Sequence, residues 1–188
     1  MRVISGEAKG RHLVFSSKSK TRPTSDRVKE SFFNIMPPLN GKMFLDVFAG
    51  SGSVGIEALS RGAAYVAFIE KEAAHCGYIN KNLLGCGFTG NYDIFSADVK
   101  KAISTLQKKK ACFDVIFADP PYDIGLVEET LQHVTAGRIF ASDSRIIFQH
   151  SVREVPDWKQ VKGLTVFDQR KYGDTLLTFL QIKLEAAR

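Results

Sequence analysis

The sequence has little cysteine, and what it has is badly arranged for cross-linking. Cys76, Cys86 and Cys112 are odd in number and form no Cys-x-x-Cys pair. A disulfide framework and a structural zinc site are therefore excluded, and a reducing cytoplasm is the expected setting. The four histidines form no Cys/His cluster, so no metal is expected. No apolar run approaches the length of a membrane span, and no charged-then-apolar leader opens the chain, so neither a membrane protein nor a secreted precursor is expected. What remains is 188 residues with 44% hydrophobic and 24% charged side chains, the balance of one folded domain with room for a small appendage.

Charge is unevenly placed. Lysine and arginine number 26 against 20 acids, a net +6. The first thirty residues carry Arg2, Lys9, Arg11, Lys18, Lys20, Arg22, Arg27 and Lys29 against Glu7, Asp26 and Glu30. Nearly all the excess therefore sits at one end. Such a field suits a polyanion such as nucleic acid, because neutralised phosphates release counterions. The plainer alternative is a solvated basic arm.

The alternation of elements gives the architecture. Residues 2–6 and 10–15 read as a small hairpin, followed by a polar loop and a helix capped by Ser25, with Val28, Phe32, Ile35 and Met36 on one face and Pro37-Pro38 as its stop. From residue 41, strands at 43–48, 65–70, 92–97, 113–118 and 145–150 alternate with helices near 53–61, 72–84, 99–109 and 126–135. That pattern predicts an α/β fold, a doubly wound, mostly parallel sheet covered on both faces. Residues 161–168 and 175–184 read as a closing antiparallel hairpin. The division expected is an N-terminal extension over 1–40 and a catalytic domain over 41–188.

Two segments carry chemistry. Phe44-Leu-Asp-Val-Phe-Ala-Gly50-Ser-Gly52-Ser-Val-Gly55 is a strand, a glycine turn and a helix start, with the G-x-G-x-x-G spacing of dinucleotide sites. Glu70, twenty residues past Gly50, ends the next strand, where it can accept from ribose hydroxyls. Asp46, inside the first strand, would repel the pyrophosphate of a nicotinamide cofactor but suits the ammonium and sulfonium of S-adenosylmethionine; alternatively it only caps backbone amides. Asp98 can accept from the adenine amino group while the Val99 amide donates to a ring nitrogen; the plainer reading is a helix N-cap, and the two roles are compatible. The expected cofactor set is Asp46, Phe48, Ala49, Gly50, Ser51, Gly52, Gly55, Glu70, Lys71, Asp98 and Val99.

The second segment is Asp119-Pro120-Pro121-Tyr122, at the carboxyl end of the fourth core strand, where open α/β sheets hold their ligands. An exocyclic base amine is a poor nucleophile because its lone pair is delocalised into the ring. The Asp119 carboxylate and the Pro120 carbonyl can accept its two hydrogens and favour a pyramidal nitrogen. Pro121 helps to rigidify the corner, and Tyr122 offers a face for stacking an unstacked base.

With these residues in view, the chain resembles the RsmD family of bacterial 16S ribosomal RNA guanine-N2 methyltransferases. The resemblance rests on Arg2-Val-Ile-Ser-Gly-Glu-Ala-Lys-Gly-Arg11, Thr21-Arg-Pro-Thr-Ser-Asp-Arg-Val-Lys-Glu30, Leu45-Asp-Val-Phe-Ala-Gly-Ser-Gly52, Glu57-Ala-Leu-Ser-Arg-Gly-Ala63, Asp119-Pro-Pro-Tyr122 and Lys171-Tyr-Gly-Asp174. It implies a seven-stranded class I methyltransferase fold, S-adenosylmethionine as methyl donor, and a loop guanine of small-subunit RNA as acceptor, in assembled or nearly assembled particles. It further implies a cytoplasmic monomer. Arg22, Thr24 and Arg27 would border the pocket. Arg2, Lys9 and Arg11 would hold RNA, joined by Lys171 and Tyr172. Relatives often carry an acid after the fifth strand, where this chain has Gln149-His150. The competing readings are a DNA adenine or cytosine amino-methyltransferase, for which 188 residues leave little room, a non-catalytic assembly factor and, weakest, a nicotinamide dehydrogenase.

Overall fold

A computed structural model describes residues 1–15, 26–122, 125–158 and 163–182. The elements in chain order are α1 (Asp26–Ile35), β1 (Met43–Val47), α2 (Ser53–Ser60), β2 (Tyr65–Glu70), α3 (Ala73–Cys86), β3 (Tyr92–Ser96), α4 (Val99–Lys108), β4 (Phe113–Ala118), α5 (Leu126–Gly137), β5 (Phe140–Ser151), β6 (Leu164–Tyr172) and β7 (Thr175–Ile182). They form one seven-stranded sheet in the order β3-β2-β1-β4-β5-β7-β6. Strands β1 to β5 run parallel, while β7 runs antiparallel to both β5 and β6.

The central strands are apolar along most of their length because helices cover both faces. In β1, Phe44, Leu45 and Val47 are buried; in β4, so are Phe113, Val115, Ile116, Phe117 and Ala118. One core lies under α4 and α5, the other under α2, α3 and the N-terminal residues. At the edge of the sheet, β3 is only partly covered.

Three expectations change in extent, one being the strand expected over 161–168, which runs over Leu164–Tyr172. Strand β5 begins at Phe140 rather than Arg145, with a register shift against β4 between Phe113 and Val115. Ser144 lets that polar stretch join the sheet, since its hydroxyl accepts from the Ala141 amide and donates to the Phe113 carbonyl, both at 2.8 Å. The N-terminal hairpin is reduced to a single antiparallel bridge, Arg2 with His12. The Val3, Gly10 and Leu13 amides still pair across it, but those of the turn bond elsewhere: Ile4 and Ser5 donate to the Glu57 carboxylate at 2.7 and 3.0 Å, and Glu7 and Ala8 donate to the Ser60 carbonyl and hydroxyl.

The N-terminal residues are thus fastened to α2. Lys29 of α1 and Glu57 of α2 form an ion pair at 3.5 Å, with both side chains fully buried. Lys29 also donates to the Arg2 carbonyl at 2.7 Å, and Arg61 donates to Glu57 at 2.8 Å. Burial pulls the Lys29 ammonium below its ordinary range, and Glu57 opposes that pull. Phe32 completes the join, its ring lying 4.5 Å from Phe33, 5.1 Å from Phe117 and 6.4 Å from both Phe44 and Phe179. Side chains on both sides of residue 40 therefore share one core.

Glu57→Ala leaves the Lys29 ammonium buried without its counter-charge. The expected loss is about 3–5 kcal/mol, read from urea denaturation, and a loss below about 1 kcal/mol contradicts the anchoring role.

Candidate active site

The sheet reverses its winding between β1 and β4, and the two strands meet there as parallel neighbours. Asp46 is level with Phe117 and Val47 with Ala118. Beyond the last pair, the Asp119 amide donates to the Val47 carbonyl at 3.3 Å. The turn after β1 and the corner after β4 therefore lie side by side at the crevice where such sheets bind ligands.

The turn after β1 is shaped by backbone that few side chains tolerate. Phe48 has φ 64°, Gly50 57° and Gly52 79°. At Gly50 a Cβ would meet open space, so the glycine serves conformation and leaves the surface of the turn bare. Gly55 differs. It lies in α2, where a Cβ would come within 2.3 Å of the Phe68 ring, so it permits close packing of α2 on β2. Its amide donates to Asp46 Oδ2 at 2.8 Å.

Three carboxylates gather at this end of the sheet. Asp46 is buried, and Glu70 ends β2 with Oε2 accepting from the Gly50 amide and Oε1 from the Glu72 amide, both at 2.9 Å. Asp119 is partly buried. Desolvation raises Asp46 from 3.8 to about 7; the Gly55 hydrogen bond opposes this, and the charges of Asp119 and Glu70 add to it. Among the described residues no group of three or more such side chains is close enough to hold a metal ion.

The remaining expected cofactor residues are spread along the same edge. Ala49 is buried, Phe48 and Ser51 are partly covered, and Lys71 is exposed just past Glu70. Asp98 is exposed and caps α4, accepting from the Lys101 amide at 2.8 Å; Val99 begins that helix. In the tetrad, Pro120 is buried and Pro121 and Tyr122 are half-buried. The Tyr122 hydroxyl lies 3.4 Å from Thr175 Oγ1 of β7, and burial, reinforced by Asp119, raises its pKa.

Of the expected RNA residues, Arg2, Lys9 and Arg11 are exposed. Arg27 falls in the first turn of α1, whereas Arg22, Thr24 and the expected cap Ser25 lie outside the described residues. Lys171 is exposed, but the Tyr172 hydroxyl is paired with that of Ser31, which ties the end of β6 to α1.

Two residues that touch the site have no motif behind them. Asn82 of α3 donates to the Ser51 carbonyl at 2.9 Å and to the Val14 carbonyl at 2.8 Å, and accepts from the Val14 amide at 2.7 Å. It holds the end of the basic segment to the glycine turn. Gln149 of β5 donates to Asp119 Oδ2 at 2.8 Å and to the Tyr122 hydroxyl at 3.2 Å. The available signal was an amide in an otherwise apolar strand, Ile146-Ile147-Phe148-Gln149.

This strand order, with a glycine turn after β1 and an Asp-Pro-Pro-Tyr corner after β4, defines a class I methyltransferase fold. The family model described as "Conserved hypothetical protein 95" matches residues 1–181. "Ribosomal RNA small subunit methyltransferase D" of Escherichia coli (strain K12) is 36% identical over 153 residues, which are 81% of this chain and 75% of that protein. The solved structure of "Putative methyltransferase yhhF" from Escherichia coli has a TM-score of 0.84 at 28% identity, covering 98% of this chain and 99% of the other. A more distant fold neighbour is SMU.776, "a putative methyltransferase complexed with SAH", with a TM-score of 0.68 at 13% identity over 83% of this chain and 48% of that one. The chain belongs to the RsmD family, that of ribosomal RNA small subunit methyltransferase D.

The raised pKa of Asp46 fixes a pH dependence. The folded state keeps this proton to about pH 7, and the unfolded state loses it near 3.8. Folded protein therefore binds more protons between those values, and stability falls as pH rises through them, levelling off above about 7. Wild type should lose on the order of 2 kcal/mol more than Asp46→Asn between pH 5 and pH 8 in urea titrations. Parallel curves for the two proteins contradict the assignment.

Proposed function

We propose that this protein transfers a methyl group from S-adenosylmethionine to the exocyclic N2 amine of a loop guanine in 16S ribosomal RNA, within assembled or nearly assembled small subunits. The observation that carries the reading is the junction of β1 and β4, where the Asp119 amide reaches the Val47 carbonyl and sets the acceptor corner against the glycine turn. Membership of the RsmD family supports ribosomal RNA as the substrate class. The protein acts as a cytoplasmic monomer, and the residues before 40 dock it on RNA.

Two features of the site fit this cofactor. The bare turn at Gly50 leaves room for a ligand to approach the backbone. The mutual repulsion of Asp46, Glu70 and Asp119 favours a ligand carrying positive charge and no phosphate. Asp46, Gly50, Gly52 and Glu70 hold the cofactor, with Glu70 accepting from ribose hydroxyls and Asp98 and Val99 reading the adenine. When bound, S-adenosylmethionine supplies an electrophilic methyl on a sulfonium.

The protein's residues prepare the other partner. Tyr122 stacks the extruded base, and the Asp119 carboxylate and Pro120 carbonyl accept the two amine hydrogens. The nitrogen lone pair is thereby turned from the ring toward the methyl. As the C–S bond breaks and the N–C bond forms, the amine nitrogen becomes cationic beside Asp119, which stabilises it and takes its proton.

Asp119→Ala should lower transfer to undermethylated small subunits by at least ~100-fold while leaving the cofactor dissociation constant within about twofold. Digestion of the product RNA and mass spectrometry should find N2-methylguanosine. Near-normal turnover of the variant, or methyladenosine as product, sinks the reading. Protein-free RNA and duplex DNA, run in parallel, should accept far less label.

For the basic arm, replacing Lys9 and Arg11 with alanine should weaken subunit binding. The slope of log affinity against log salt should fall by about one for each phosphate that is no longer neutralised. An unchanged slope excludes these residues from docking.

A further inference from the structure

Gln149 stands outside the motifs, yet it touches both ends of the tetrad. Its Nε2 donates to Asp119 Oδ2 at 2.8 Å and to the Tyr122 hydroxyl at 3.2 Å, so one amide group spans the carboxylate and the stacking ring. The side chain is buried, and its Oε1 is a buried acceptor with no hydrogen-bond partner among the described residues. That is a costly arrangement for a side chain whose only task is to fill space, since an unpaired buried acceptor is destabilising. Turning the amide over would not help, because Oε1 would then face the Asp119 carboxylate. The orientation is therefore set by what Nε2 holds. Departures from full pairing of this kind concentrate at functional sites.

The electrostatic setting explains why a neutral donor stands there. Around Asp119, β1 contributes the Asp46 carboxyl, its own loop contributes Tyr122, and the segment after β5 contributes Glu154, whose charge acts on Tyr122. At the end of β2, Glu70 acts on Asp46. The neighbouring His150 is engaged with Thr178 Oγ1 and the Ser151 carbonyl. A carboxyl group in place of the amide would sit at hydrogen-bond distance from Asp119, and the two would hold one proton between them.

We propose that Gln149 is a positioning residue for methyl transfer: by donating to Asp119 and Tyr122 together, it holds the carboxylate that receives the base amine in register with the ring that stacks the base. This rests on the reading of Asp119 as the acceptor for the amine. It adds that the two groups are set jointly by a neutral side chain from β5. Cofactor binding does not depend on Gln149, so its loss appears in kcat with KM for the cofactor unchanged.

The test uses the full-length protein, labelled S-adenosylmethionine and small subunits from cells lacking this methylation. Gln149→Leu keeps the volume and removes the donor. It should lower kcat at least tenfold, with KM for the cofactor within about twofold and the urea midpoint unchanged or raised, since the buried unpaired acceptor is gone too. Gln149→Glu provides a second reading. While its carboxyl keeps its proton it can donate to Asp119 as the amide does. As pH rises and that proton leaves, the two carboxylates repel, so kcat should fall on the alkaline side relative to wild type.

Wild-type kcat in Gln149→Leu, or a wild-type pH profile in Gln149→Glu, overturns the proposal. So does a loss of activity matched by an equal loss of stability or cofactor affinity, which is the mark of a merely structural side chain. Asp119→Ala, run alongside, separates the two levels. If it stays active, the reading of the site fails. If it is inactive and Gln149→Leu is not, only the role of Gln149 fails.

Discussion

The parallel pairing of β1 with β4 is the constraint on which the site depends. Neither strand carries the chemistry alone. The glycine turn follows one, the Asp-Pro-Pro-Tyr corner follows the other, and they are separated by about seventy residues of sequence. Register does what sequence distance cannot: Val47 is level with Ala118, and the next amide, that of Asp119, closes on the Val47 carbonyl. A one-residue slip would turn every side chain of the strand to the opposite face, carrying Asp46 away from the turn it braces. The apolar residues of both strands, buried on two faces, hold that register.

Electrostatics then shapes the crevice. Asp46 braces α2 through the Gly55 amide, Glu70 braces the turn through the Gly50 amide, and Asp119 stands at the corner. Burial raises the proton affinity of Asp46 most, and the charges of Asp119 and Glu70 add a repulsion that a cationic ligand would relieve. The same residues thus shape the turn and, on the proposed function, set its preference. The Glu57–Ala63 run and Lys29 do other work. Glu57, Ser60 and Arg61 receive or brace residues 4–8, and Lys29 buries its ammonium against Glu57. They fasten the basic end of the chain to the helix that follows the glycine turn.

Much of this was legible in the sequence because the central strands are mostly apolar and end near glycine or proline. Leu45-Asp-Val and Val115-Ile-Phe-Ala announce buried parallel strands, and Gly50 and Pro120 mark where they stop. What escaped detection depends on distant partners. The short alternating stretches at the N-terminus do read as strands, but the amides of Ile4, Ser5, Glu7 and Ala8 are taken by Glu57 and Ser60, more than fifty residues away. The early start of β5 rests on Ser144 bonding to Phe113. Gln149 and Asn82 are single amides whose roles appear only when β5 meets β4 and when α3 meets the glycine turn. Asp98 fits its plain reading as a helix cap, which leaves it free to serve a ligand as well.

The most direct test of the shared crevice is a structure of the protein with S-adenosylhomocysteine and a guanine-containing fragment of its RNA. The account predicts the cofactor sulfur beside the Gly50 turn and the guanine N2 between the Asp119 carboxylate and the Pro120 carbonyl. The nitrogen should lie about 5 Å from the sulfur, the reach of one methyl group plus a near-attack gap. A base held elsewhere, or a sulfur too far from N2 for a single methyl to bridge, contradicts it.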